Sequence, residues 1–130
     1  MYKITKTYTD FNGTERTEDF YFHFKESELA EMQLVHEQGL EQKLTEIVNA
    51  MDRKKLVATF KDLILNSYGV KSEDGRQFIK NDKVRQEFEQ SEAYSDIFME
   101  LITDDEAAAK FVNGIMPFKP QDHKVAENVK

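Results

Sequence analysis

Cysteine and tryptophan are missing from this 130-residue chain, and proline occurs only twice. Without cysteine there is no disulfide, no thiolate zinc site and no thiol nucleophile, and a reducing compartment is permitted. The nitrogen ligands that remain are His23, His36 and His123, which fall on a predicted strand, a predicted helix and a predicted tail. None has a second histidine three or four residues on, so no metal site is expected. No stretch approaches the run of about 18 apolar residues that spans a bilayer, and the N-terminus is polar where a signal peptide would be apolar. A soluble, cytoplasmic protein without a membrane partner is expected. Positive charge is also scarce: 18 Lys+Arg against 25 Asp+Glu give a net charge of −7. A general phosphate-binding surface lacks electrostatic support, so no nucleic-acid partner is expected either. The five glycines never cluster into a phosphate-cradling loop, and no Gly-x-Ser-x-Gly nucleophile turn occurs. The acidic triple Asp104-Asp105-Glu106 reads as a helix start that complements the macrodipole. The expectation is a non-enzyme, with no catalytic residue, no metal and no cofactor.

What is present is patterned. Tyr2, Ile4, Lys6 and Tyr8 alternate with Lys3, Thr5, Thr7 and Thr9, which predicts a strand with two distinct faces. Asp10-Phe11-Asn12-Gly13 then matches a type I turn closed by a left-handed glycine. A three-residue loop sets Ile4 opposite Phe20, Tyr2 opposite Phe22 and Lys6 opposite Glu18, so apolar meets apolar and plus meets minus. A two-residue Asn12-Gly13 turn would slip the register by one and turn every side chain to the other face. The bulged turn is therefore favoured. Phe20, Phe22 and Phe24 make one face of the second strand too apolar for a lone ribbon, and helices must cover it.

Helical periodicity fills most of the remainder. Ser27 is the expected cap of a helix carrying Leu29, Met32 and Val35, ending near Gly39. Leu40, Leu44, Ile47, Val48 and Met51 form a second amphipathic stretch. Asp52 then caps the clearest helix, with Leu56, Val57, Phe60, Leu63 and Ile64 on one stripe and Gly69 as its stop. Lys71 to Asn81 reads as a surface loop or short ribbon around Glu73-Asp74-Gly75. Caps at Asn81, Ser91 and Asp104 start three further helices, and both prolines, Pro117 and Pro120, follow the last. The predicted fold is α+β and mostly α: an N-terminal β-hairpin packed on about five or six helices. Residues 1–117 form the single expected domain, and the polar residues 118–130 a flexible C-terminal tail.

Among fifteen Phe and Tyr residues, most belong to the expected core. Phe11 sits at a hairpin tip, where a large apolar group is normally exposed, and Met116 and Phe118 lie in or near the tail. These three are the candidate partner-binding residues.

Several longer strings point to a family. Tyr2 to Gly13, then Phe20-Tyr21-Phe22, resembles the start of tail assembly chaperones from long-tailed phages of Gram-positive hosts. Phe60 to Gly69 with Asp74 to Phe78, then Glu92 to Leu101, then Ala107-Ala108-Ala109 and Phe111 to Pro117, continue the resemblance in the same order. It covers residues 1 to about 117. The resemblance implies a protein that binds the tape measure protein, keeps it soluble, promotes polymerisation of the tail tube around it and leaves the finished particle. It also implies work in the cytoplasm of the bacterial host, with the tail-tube protein and a longer frameshifted form of the chain as further partners. The polar end after Pro117 looks like the terminus of a short form. The residues themselves leave homo-oligomerisation open, and an acidic adaptor or inhibitor of another host or phage protein is the alternative function.

Overall fold

Asp10 decides how the first two strands meet. Its main-chain oxygen accepts the Gly13 N–H at 2.9 Å, its N–H reaches the Thr14 carbonyl at 2.8 Å, and Gly13 adopts φ 83°. This is the three-residue bulged turn. It joins β1 (Tyr2–Thr9) to β2 (Glu15–Phe22) in the register Tyr2↔Phe22, Ile4↔Phe20 and Lys6↔Glu18. The slipped alternative is excluded. One detail differs from the sequence reading: Lys6 lies opposite Glu18 but bonds Glu100 at 2.6 Å, while Glu18 accepts the Tyr8 hydroxyl at 2.6 Å. Lys6 points to the helix side of the sheet, and a helix passing beneath it offers the nearer carboxylate.

The computed structural model describes residues 1–31 and 53–117. After the hairpin come α1 (Glu26–Glu31), α2 (Arg53–Ser67), β3 (Tyr68–Lys71), β4 (Phe78–Ile79), α3 (Asp82–Glu89), α4 (Glu92–Thr103) and α5 (Asp105–Ile115). Five helices thus stand among the described residues, against the five or six expected, in an α+β architecture. The sheet is larger than the expected hairpin, with four antiparallel strands in the order β1-β2-β3-β4. The Lys71–Asn81 stretch is a ribbon after all. Gly69 does not stop the helix as expected; α2 ends at Ser67, whose buried hydroxyl bonds the Leu63 carbonyl at 2.6 Å, and Tyr68 enters the sheet at once. Gly69 is needed for space, because a Cβ there would lie 2.7 Å from the Phe78 ring.

Local capping chemistry sets the other helix starts. Asn81 accepts the Val84 N–H at 2.8 Å, Ser91 the Tyr94 N–H at 3.2 Å, and Asp104 the Glu106 and Ala107 N–H groups at 3.0 and 3.2 Å. The acidic triple is therefore a capped helix start. The first helix begins two residues earlier than Ser27 would set it. Glu28 reaches back to the Lys25 N–H at 2.8 Å, half of a capping box, and so places Lys25 outside and Ser27 inside. The expected continuation of that helix through Met32 and Val35 to Gly39, the stretch from Leu40 to Met51, the Asp52 cap and the tail 118–130 lie outside the described residues.

The core is aromatic. Phe22 is fully buried, with its ring centroid 5.4 Å from Phe111, 5.7 Å from Tyr68 and 5.9 Å from Phe88. Phe88 stacks on Tyr68 at 4.1 Å and continues the network to Phe20 and Tyr94. Each buried phenylalanine is worth about 1.5–3 kcal/mol, so the Phe20, Phe22 and Phe24 row is what draws the helices onto the sheet. At one margin Lys80 fastens three elements. Its ammonium donates to the His23 carbonyl and to Glu28, both at 2.7 Å, and lies 4.8 Å from the centre of the Phe24 ring. Burial lowers its pKa, and the Glu28 bond partly offsets that.

The two ends of the described chain meet in this core. Phe24 donates its N–H to the Ile115 carbonyl at 2.8 Å, and Tyr2 lies edge-on to Phe111. Gly114 faces the Tyr2 ring so closely that an added methyl would overlap the Cγ and Cβ atoms at the root of that side chain. A root atom cannot swing away as a side-chain tip can. The helix propensity gained by Gly114→Ala, about 1 kcal/mol, is then outweighed by overpacking. We expect a net loss of roughly 1–2 kcal/mol, read as a lower melting temperature in thermal denaturation.

Candidate partner-binding surface

The hairpin end carries the exposed apolar group that the sequence marks. Phe11 is 77% exposed at the turn. It is not loosely presented. One Asp10 carboxylate oxygen accepts the N–H groups of Asn12 and Thr14, each at 2.9 Å, and the other accepts Arg16 Nε at 2.6 Å. Farther down, Thr7 and Thr17 share a hydroxyl bond at 2.8 Å, and Thr5 donates to Asp19 at 2.6 Å. Residues 11–17 are exposed on both faces of the ribbon, so the arm projects past the helical layer. A fixed turn loses little conformational freedom on binding, which favours contact through the side chain at its tip.

The other two candidates separate. Met116 is only 4% exposed and belongs to the core cluster with Ile115 and Phe111. The expectation that it offers a partner surface is corrected. The Phe24–Ile115 bond holds the end of α5 against β2, and the residue after it turns inward. Phe118 lies outside the described residues.

Apolar surface that the sequence reading missed lies at β3 and β4. Val70 and Ile79 face each other across the two strands, 41% and 38% exposed. Beside them β2 and β3 diverge: pairing stops after Tyr21↔Gly69 and Phe22↔Tyr68, leaving a cleft of about 440 Å³ between Glu18–Tyr21 and Tyr68–Lys71. Lys71 folds over one side, its ammonium 5.0 Å from the Tyr21 ring centre. Nothing in the sequence pointed to this cleft, because it arises where two strands part.

Among the described residues no group of three His, Asp or Glu side chains could hold a metal ion, and no helix is long and apolar enough to cross a membrane. His36 and His123 lie outside those residues. The altered acidities have structural causes. The Arg16 hydrogen bond, then the Thr14 N–H, hold the Asp10 carboxyl below its ordinary 3.8. The Glu18 hydrogen bond, then burial, push the Tyr8 phenol up to about 12.

The described residues form a small α+β domain with large apolar side chains exposed at Phe11, Val70 and Ile79. The sequence profile of the phage tail assembly chaperone family matches residues 1–128, and the chain belongs to that family. No curated protein and no solved structure matches it.

Two outcomes follow from these placements. Met116→Ala removes a buried side chain and is expected to destabilise the fold by about 2–4 kcal/mol, measured by denaturant unfolding. The Asp10 carboxylate stabilises the turn at pH values above its unfolded pKa, and that contribution disappears as pH falls through its lowered folded value. The amide resonances of Asn12 and Thr14 should therefore hold steady near pH 4 and shift only below it. Asp10→Asn should abolish the transition.

Proposed function

We propose that this tail assembly chaperone binds the tape measure protein of its phage, keeps it soluble and promotes assembly of the tail tube around it. The reading includes work in the cytoplasm of a Gram-positive host and absence from the mature virion. The observation that carries it is Phe11, a large apolar side chain held out on a rigid arm in a member of a chaperone family. A tape measure is a long, largely helical protein, and it exposes amphipathic surface until the tube encloses it. Many copies of a small domain can cover such a client, and avidity lets weak single contacts hold. The net charge of −7 limits aggregation meanwhile. Contact through Phe11 belongs to this proposal, as do the tail-tube protein and a longer frameshifted form as further partners.

Co-expression with the neighbouring tape measure protein, followed by size-exclusion chromatography of the soluble fraction, tests the reading. The tape measure should be soluble only when the chaperone is present, and the two should co-elute. Phe11→Ala should leave the melting temperature nearly unchanged and weaken the complex roughly tenfold, as loss of an exposed aromatic anchor does. A tape measure that stays insoluble moves the chain to the adaptor alternative.

A further inference from the structure

Among the described residues β1 ends the sheet on one side, and its bonding pattern fixes which backbone groups look outward. The Asp10 N–H bond to the Thr14 carbonyl marks that pair as bonded, and bonded pairs alternate along an antiparallel ladder. Tyr2, Ile4, Lys6 and Tyr8 are therefore bonded to β2. The N–H and C=O groups of Lys3, Thr5, Thr7 and Thr9 face away from it. The bond from His23 N–H to the Ser67 carbonyl on the other side of β2 obeys the same alternation.

This edge is long, regular and free of proline, and its charge is unlike the rest of the chain. Tyr2–Thr9 holds two lysines and no acid, so the rest of the chain carries a net charge of −9. One of the two lysines, Lys6, is already engaged by Glu100. Two copies meeting at this edge set no acid of the strand against another.

We infer that β1 pairs antiparallel with β1 of a second copy about a two-fold axis through Thr5, which joins two four-stranded sheets into one of eight. Outward-bonding residues must meet outward-bonding residues, so the axis passes through a residue and not between two. An axis through Lys3 or Lys6 stacks that lysine on itself. The axis through Thr5 places Thr5 on Thr5, Lys3 on Thr7, Ile4 on Lys6 and Tyr2 on Tyr8, with no like charges opposed and seven of the eight strand residues, Tyr2 to Tyr8, matched among themselves.

The inference does not depend on the identity of the client, and its test uses the full chain alone. Sedimentation equilibrium over a range of concentrations should show a reversible dimer. Thr5→Pro removes an outward N–H at the axis while leaving the β2 side of the strand intact. It should give a monomer with unchanged circular dichroism. Thr7→Glu, facing Lys3 of the second copy at two symmetric places, should tighten the dimer roughly fivefold, and Thr7→Lys should weaken it by a similar factor. A wild-type chain that is monomeric at its highest soluble concentration overturns the proposal, as does a dimer indifferent to Thr5→Pro. Equal effects of the two Thr7 changes overturn the register. Thr5→Pro keeps Phe11, so loss of the dimer with client binding retained separates this inference from the proposed function.

Discussion

The ring of Phe22 touches Phe111 on the last helix, Phe88 on the third and Tyr68 on the third strand, so four elements converge on one side chain. That convergence depends on which face of β2 the ring occupies. A one-residue slip of the hairpin would turn Phe20 and Phe22 to solvent and present Asp19 and Tyr21 to the helices. The three-residue turn at Asp10 prevents this. Its five hydrogen bonds, three to the carboxylate and two through the main chain, act at the far end of the ribbon from the core they protect.

How much of this was visible beforehand follows the range of the interactions. The hairpin register was legible because turn chemistry and alternation are both local and agree. The caps at Asn81, Ser91 and Asp104 were legible because a cap bonds an N–H two or three residues away. The partner of Lys6 was not, since Glu100 is remote in sequence and comes near only when α4 packs beneath β1. β3 and β4 were half legible. Two residues of Phe78–Ile79 carry almost no period of their own, and their pairing is created by the sheet they join.

The candidate surface divides in the same way. Phe11 could be found because a residue at the tip of a turn has no interior to enter. Met116 was misplaced because its neighbour Pro117 suggested a departing chain, whereas the Phe24–Ile115 bond holds that point against the sheet. The Val70–Ile79 pair and the cleft beside it left no trace in the sequence, since a gap between diverging strands belongs to neither strand alone. Exposed apolar chemistry is in this sense the hardest to read. A core residue and a contact residue are the same amino acids, and only their neighbours distinguish them.

The contact between the first strand and the last helix bears on how the chain is made. Tyr2 rests on Gly114, and Phe24 is bonded to Ile115, so the apolar side of the hairpin is not closed until the end of α5 has been synthesised. At ordinary elongation speeds that is a wait of roughly five to twenty seconds. During it the phenylalanine row of β2 lacks the helices that cover it in the folded domain. A chain that ends before residue 115 lacks the Ile115 carbonyl that holds Phe24 and the helix end that covers Tyr2, and so exposes apolar surface that the whole domain buries.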